Sequence, residues 1–282
     1  MGTKFDKISG VDAIFKNPEY ISDSIIFNSI ESARNEHNYN LYSDHKSVII
    51  STSKTGHKVW IWTSSSIKDD TSKLIDICRF LRDQKIPRAE IYVKQDVSAN
   101  LSDLYALTSL DINYVVKDEF SLAVFTYDGE KINDPDGSAL APDEQIISID
   151  RNNPEHVALV TDFYKSLSEE FRWTDKFDRK INEYLDMELY GLVKNGKMIA
   201  NTAIGSRTEN YIRIKSVAVR ADERKKGYGY KMTVFAVNKI KERELTPILY
   251  THIGNCSAIA LWKKSDFKQK NKLYLLKVED AQ

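Results

Sequence analysis

The stretch SVAVRADERKKGYGYKMT, residues 216–233, decides how this chain is read. A strand-like run ends at Val219 and a charged turn follows. Arg224, Lys225, Lys226, Gly227, Tyr228 and Gly229 come next, and lead into a helical pattern over 230–243 with Met232, Phe235, Ala236 and Ile240 on one face. Glycines at a helix entrance let the backbone approach a ligand closely. The first helical N–H groups are unpaired and carry the positive end of the helix dipole. Together these features bind phosphate oxygens, and three cationic side chains at the same place make a pyrophosphate the natural guest. The alternative is a basic surface turn whose glycines only start a helix.

Working outward, EQIISIDR (144–151) alternates like a strand. In the helix that follows, Val160, Phe163, Tyr164, Leu167 and Phe171 form an apolar stripe, with Asn153 as N-cap and Pro154 at the first position. A second helix is expected over 174–186. Two strand-like runs then flank Asn195-Gly196, a favoured pair for a tight hairpin turn. Strands at 211–219, 247–253 and 272–278 and a short helix at 256–264 complete the order β-α-α-β-β-β-α-β-α-β, a mixed α/β sheet.

The first half repeats part of this rhythm. SVIISTS and KVWIWTS read as paired strands, and a helix over 70–84 carries Leu74, Ile77, Cys78 and Leu81 on one face. EIYVK is a strand, LSDLYALTS a short helix, and NYVVK with SLAVFTYD a closing strand pair. Residues 127–145 hold Gly129, Pro135, Gly137 and Pro142 without an apolar stripe and read as a linker. The expected division is therefore 1–130, a linker at 131–144, and 145–282, two related α/β folds in tandem. The strand-to-helix junction of the first fold, WTSSSIKDDTSKL, has no glycine and carries Asp69-Asp70 where cations would be needed. Two adjacent carboxylates would repel a pyrophosphate.

Composition bounds the function. The 282 residues hold 41 Lys+Arg against 41 Asp+Glu, with 41% hydrophobic residues, a globular balance that excludes a disordered chain. The neutrality is a cancellation. Residues 1–140 hold 16 basic and 21 acidic residues, and 141–282 hold 25 and 20. Zero net charge and the lack of a recognised motif speak against a nucleic-acid partner. No apolar run reaches the ~18 residues of a membrane helix, and MGTKFDKISG has no hydrophobic signal core, so a cytoplasmic location is expected. Cys78 and Cys256 are too few for a disulfide framework or a cysteine-based zinc site and are expected to be buried.

On these residues, Val217-Ala218-Val219 followed by Arg224-x-x-Gly227-x-Gly229, the chain resembles the GNAT superfamily of acyl-CoA-dependent N-acyltransferases. A second signature follows: Asn255-x-x-Ala258-Ile259-x-Leu261-Trp262-x-Lys264-x-x-Phe267, against the usual N-x-x-A-x-x-L-Y-x-K-x-G-F. The resemblance covers roughly 145–282. It implies acetyl-CoA as acyl donor, no metal, a small-molecule amine as acceptor and, as one assembly it allows, a homodimer. Backbone groups at Val217, Ala218 and Val219 would pair with the pantetheine arm. Arg224, Lys225, Lys226, Gly227, Tyr228, Gly229 and Tyr230 would cradle the pyrophosphate, with Asn255, Ala258 and Trp262 completing the cofactor set. The strands 211–219 and 247–253 would splay apart to admit the thioester. A backbone N–H near Val217 could hold the oxyanion, worth up to ~3–4 kcal/mol.

The catalytic pair departs from the family. Its glutamate position on the fourth strand is Arg213, which cannot act as a base, and its tyrosine position is Trp262. Replacement bases are Glu209 or His252. Strand alternation places Arg213 and Lys215 on one face with Val217 and Val219, two cations suited to an acceptor bearing a carboxylate. A non-catalytic acyl-CoA-binding or regulatory protein on the same fold is the competing expectation.

Overall fold

The computed structural model describes residues 5–8, 30, 39–54, 58–67, 69–84, 89–94, 114–171, 173 and 176–280. The chain divides into two compact units. The first comprises 1–125, 250–256 and 269–282, and the second 126–249 and 257–268. Compactness therefore groups two segments from the expected second half, 250–256 and 269–282, with the first unit, and the divisions fall inside three strands and a helix.

The first unit is a sheet in the order β1-β2-β3-β4-β5-β12-β6. Its strands are β1 (Asp6–Ile8), β2 (Tyr39–Ser43), β3 (Val48–Ser53), β4 (Lys58–Thr63), β5 (Ala89–Lys94), β6 (Tyr114–Thr126) and β12 (Lys268–Asp280). The first four pair antiparallel in succession. β4 and β5 pair in parallel at Lys58–Glu90, Val59–Ile91 and Trp60–Tyr92, which requires a crossover, supplied by helix α1 (Thr71–Asp83). The apolar face expected on α1 forms: Leu74, Ile77, Cys78 and Leu81 are buried against Val48, Ile50, Val59, Ile61, Ile91 and Val93. Asp44, in the β2–β3 turn, ties that turn to α1 by accepting a 2.8 Å ion pair from Lys73. Burial alone would raise the Asp44 carboxyl, but Lys73 and the turn's N–H and hydroxyl donors hold it well below the usual carboxylate range.

Two expectations need correction here. The closing strand pair is one continuous strand, β6, because no glycine, proline or asparagine interrupts residues 114–126. Cys78 is buried as expected, but Cys256 is exposed at the start of a helix. The helix expected over 101–109 lies outside the described residues.

The second unit carries helix α2 (Pro135–Ser138), β7 (Glu144–Ser148), α3 (Pro154–Lys165), α4 (Phe177–Leu185), β8 (Glu188–Lys194), β9 (Lys197–Gly205), β10 (Tyr211–Val219), α5 (Tyr228–Lys241), β11 (Thr246–His252) and α6 (Cys256–Lys264). Strand order is β11-β10-β9-β8-β7. The β8–β9 hairpin turns at Asn195 and Gly196, both at positive φ (50° and 73°), as a tight two-residue turn requires. Asn153 caps α3, its side chain accepting from Glu155 N at 2.9 Å. Val160, Phe163, Tyr164 and Leu167 then pack against Leu189, Met198 and Ala203 on one face of the sheet. Met232 and Tyr228 of α5 pack with Leu192, Ile199 and Ala200, and with Val217 and Val219, on the other.

The segment expected as a linker is bound along α5. Asn238 accepts from Ile132 N at 2.8 Å and donates to Ile132 O at 3.0 Å, and Tyr230 donates to Asp134 at 2.8 Å. Turn-forming composition marks where regular structure stops, not whether the chain is held.

Candidate functional site

β10 carries the first element of the site. It pairs in parallel with β11 only at Tyr211–Thr246, Ile212–Pro247 and Arg213–Ile248, yet runs on to Val219. Beyond Arg213 its described ladder is with β9 alone. Arg220 N donates to Ile199 O at 2.9 Å, toward β9, so by strand alternation the N–H groups of Val219 and Val217 point toward the open edge.

A β-bulge between Ile214 and Ser216 interrupts the β9 ladder. Arg213 is opposite Gly205, whereas Val217 is opposite Thr202 and Val219 opposite Ala200. The extra residue reverses the facing of everything after it. Val217 and Val219 lie on the α5 face, and Arg213 shares the other face with Ser216 and Ala218. The Lys215 stem crosses Gly205 on that same face, 3.1 Å from where a Cβ would stand. The expectation that Arg213 and Lys215 share a face with Val217 and Val219 is corrected: the two cations stay together, on the opposite side.

The turn after β10 supplies the second element. A 3-10 turn (Ala221–Glu223) ends with Arg224 N near Ala221 O at 3.5 Å. Lys225 has φ 61° and Gly227 φ 88°, alternating with residues of ordinary handedness. The first α5 hydrogen bond is Lys231 N to Gly227 O, 3.0 Å. Among the described residues, the backbone N–H groups of Lys225 through Tyr230 have no partner. Six consecutive free donors, with alternating backbone handedness among them, lie at the positive end of a 14-residue helix, the kind of arrangement that suits an anion. A Cβ on Gly227 would meet nothing within 4 Å, so glycine serves the left-handed backbone there, not space.

The cations at this turn are partly engaged. Arg224 donates from Nε to Val219 O at 3.2 Å and pairs with Glu170 at 2.6 Å, and Lys226 pairs with Glu223 at 3.0 Å. Lys225 is exposed. Tyr228 and Tyr230 face the protein. Glu144, nearly inaccessible, accepts from Tyr228 Oη at 2.9 Å and Lys231 at 2.7 Å, with Lys194 at 3.3 Å. Burial alone would raise Glu144, but the bonds from Lys231, Ala141 N and Tyr228 lower it to about 2. This cluster fixes the start of α5 to β7.

Residues 159–267 match the model of the acetyltransferase (GNAT) family. The match spans 109 of the 282 residues. The fold of the whole chain agrees. A Drosophila protein is similar over 100% of both chains, at 11% identity and TM-score 0.66. A GCN5-related N-acetyltransferase from Sphaerobacter thermophilus is similar over 100% of this chain and 97% of its own, at 12% identity and TM-score 0.57. A tandem GNAT protein from the clavulanic acid biosynthesis pathway is similar over 99% of this chain and 98% of its own, at 10% identity and TM-score 0.54. Among curated proteins no sequence matches the chain.

Within the matched stretch, Gly229 sits under α6, where a Cβ would lie 3.4 Å from Leu261 Cδ2. Ala258 is half-buried. Trp262 is buried against Phe267, ring centroids 5.8 Å apart, and its Nε1 is buried without a partner. Glu209 is exposed in the turn before β10. His252 and Asn255 fall in the segment 250–256 of the first unit, and both are exposed. His252 Nδ1 accepts from Gly254 N at 3.1 Å. The described residues hold no group of three or more potential metal ligands.

Sequence reasoning missed a polar cluster on the α3 side of the bulge. Asn201, fully buried, donates to Tyr164 and accepts from Ala218 N at 3.1 Å. The Tyr164 and Tyr184 rings lie beside each other, centroids 4.5 Å apart. Burial pushes both phenols above their ordinary value, Tyr164 the further. In the sequence Tyr164 belongs to an apolar stripe, and nothing local relates it to Asn201 thirty-seven residues away.

Proposed function

We propose that the chain is an acetyl-CoA-dependent N-acetyltransferase that acts on a small primary amine by direct attack on the thioester. The observation that carries this reading is the row of six unpartnered backbone N–H groups at Lys225–Tyr230, at the N-terminus of α5 within the matched stretch. The residues fit a pyrophosphate in charge, in donor count and in backbone handedness. Lys225 to Tyr230 would hold it, and Arg224 and Lys226 would add charge on exchanging their carboxylate partners for phosphate.

Acetyl-CoA would supply an acyl group activated as a thioester. The open edge of β10 at Val217–Val219 suits an extended arm that adds to the sheet by backbone pairing. The Val217 N–H is aimed at that edge and would donate to the carbonyl oxygen as charge gathers on it. Arg213 and Lys215, on the far face beyond the bulge, would receive the carboxylate of an amino-acid-like acceptor. Holding both reactants accounts for much of the rate expected of such a site.

Thiol release from acetyl-CoA across a panel of primary amines tests the reading, with coenzyme A binding measured beside it by calorimetry. Arg213→Ala is expected to raise KM for carboxylate-bearing amines and not for others; an unchanged KM removes the acceptor assignment. A second reading, a non-catalytic acyl-CoA-binding protein, is favoured by Trp262, whose buried indole stands where the family places a tyrosine. Tight binding without turnover on any amine would select it.

A further inference from the structure

Strand β7 ends the sheet on its side of the second unit, with β8 as its one neighbour among the described residues. The pairing fixes which way its backbone faces. Ile149 N donates to Leu189 O at 2.9 Å, so Gln145 and Ile147 bond toward β8, while Ile146 and Ser148 turn their N–H and C=O groups outward. Among the described residues these four groups have no partner. Edge strands are commonly guarded by a lysine, a proline or a bulge. β7 reads EQIIS and pairs with β8 without a register shift, so it has none of the three.

Beside this edge lies an open cleft of about 630 Å³ between β7 and α3. Ile147 and Val193 line it from the sheet, and α3 contributes Glu155, Ala158, Leu159 and Asp162. Those four positions form one stripe of the helix, with apolar side chains between two carboxylates that stand two turns, about 10 Å, apart. No lysine or arginine lines the cleft among the described residues. Glu155 is exposed and carries no ion pair among the described residues. Asp162 pairs with Arg220, but Arg220 is turned to Met198 O and the Phe163 ring, and the Asp162 side chain stays 65% exposed.

We propose that β7 and this cleft form a docking edge for an extended cationic peptide segment of another protein. The segment adds to the sheet as a strand beyond β7, its backbone bonding to the outward groups of Ile146 and Ser148. Alternate side chains of an extended chain share one face, about 7 Å apart. One apolar side chain on that face rests on Ile147, Ala158 and Leu159, and a lysine or arginine two residues to either side reaches Glu155 and Asp162. A second copy of this chain fits less well. Antiparallel pairing of two β7 strands about Ile147 joins Ile146 to Ser148, but it also sets Glu144 against Asp150, and like charges directly opposite are destabilising. The site lies three strands from β10, so it is separate from the acyl-transfer site.

The test uses the full chain, labelled with 15N for NMR, and the blocked peptide acetyl-Thr-Lys-Thr-Val-Thr-Lys-Thr-amide. Saturable binding is expected, with shifts at the Ile146 and Ser148 amides. Of two peptides N-methylated at alternate residues, the one whose methyls face β7 should bind roughly tenfold more weakly, and the other should bind as the parent does. Ser148→Pro removes one outward donor and leaves the β8 ladder whole, so it too should weaken binding roughly tenfold. Glu155→Gln should weaken it up to about fivefold, the range of an exposed ion pair. Should Ser148→Pro fail to fold, the methylated peptides carry the same question. Absence of saturable binding at millimolar peptide overturns the docking edge. Equal binding of both methylated peptides overturns strand addition, and equal binding of a peptide with glutamate in place of both lysines overturns the cationic assignment. Full displacement of the peptide by an equal concentration of spermidine assigns the cleft to a small amine and overturns the proposal. So does a concentration-dependent dimer in sedimentation that Ser148→Pro dissociates, which would assign the edge to a second copy.

Discussion

Helices α1 and α5 start in the same way and end up with different chemistry. Each follows a strand paired antiparallel to the one before it and, over three residues, in parallel to the one after its helix. Each is entered through a 3-10 turn, Ser65–Ile67 or Ala221–Glu223. At α1 the Asp70 side chain accepts from Lys73 N at 3.0 Å, and Asp70 O accepts from Leu74 N. The chain supplies its own anion. At α5 the cap is Gly227 in the left-handed region, with no side-chain bond, and the donors stay open. A carboxylate cap occupies N–H groups at the helix start that a glycine cap leaves open.

Four measurements would break or sharpen that comparison. Glu144 holds the start of α5 from behind, and Glu144→Gln strands Lys231 and Lys194 without their buried partner. A loss of about 3 kcal/mol is expected in denaturant unfolding at neutral pH. The sign with pH follows from the lowered carboxyl: its contribution is present above the unfolded pKa near 4.5 and is lost as pH falls toward about 2. Glu144→Gln should flatten the acid limb of the stability curve, and an unchanged limb would separate Glu144 from α5.

Next in size, Gly227→Val forces a β-branched residue to φ 88° and should weaken coenzyme A binding by ~30-fold or more, a ~2 kcal/mol strain. Retained affinity would refute the phosphate cradle. Asp70→Ala should cost about 1 kcal/mol in thermal unfolding, the ordinary value of a cap, and create no coenzyme A site. Binding at the first unit of that variant would show that the carboxylate alone had closed it. Smallest of all, Glu170→Gln frees Arg224 from an exposed ion pair worth at most ~1 kcal/mol, so coenzyme A should bind up to about fivefold tighter at low salt. No change would place Arg224 outside the phosphate contacts.

Much of this contrast was legible before any coordinates. The glycine and cation spacing of 224–229, the Asp69-Asp70 pair, the Asn195-Gly196 turn and the apolar faces of α1 and α3 all act within a few residues. Their physics is backbone handedness, capping and helical period, which the local sequence writes directly. The linker segment was harder, because its ties to α5 run from Ile132 to Asn238 and from Asp134 to Tyr230.

By itself the sequence determined that the helix of the second half starts on glycines and that the helix of the first half starts on an acidic cap. Only the tertiary structure decided which way the side chains of β10 face. A bulge is a property of the ladder with β9, and inserting one residue into one strand reverses every facing beyond it. That reversal moved Arg213 and Lys215 away from Val217 and Val219. It also put Ser216 on the same face as Arg213 and Ala218. Alternation along one strand could not show this, since the register that fixes it is shared between strands.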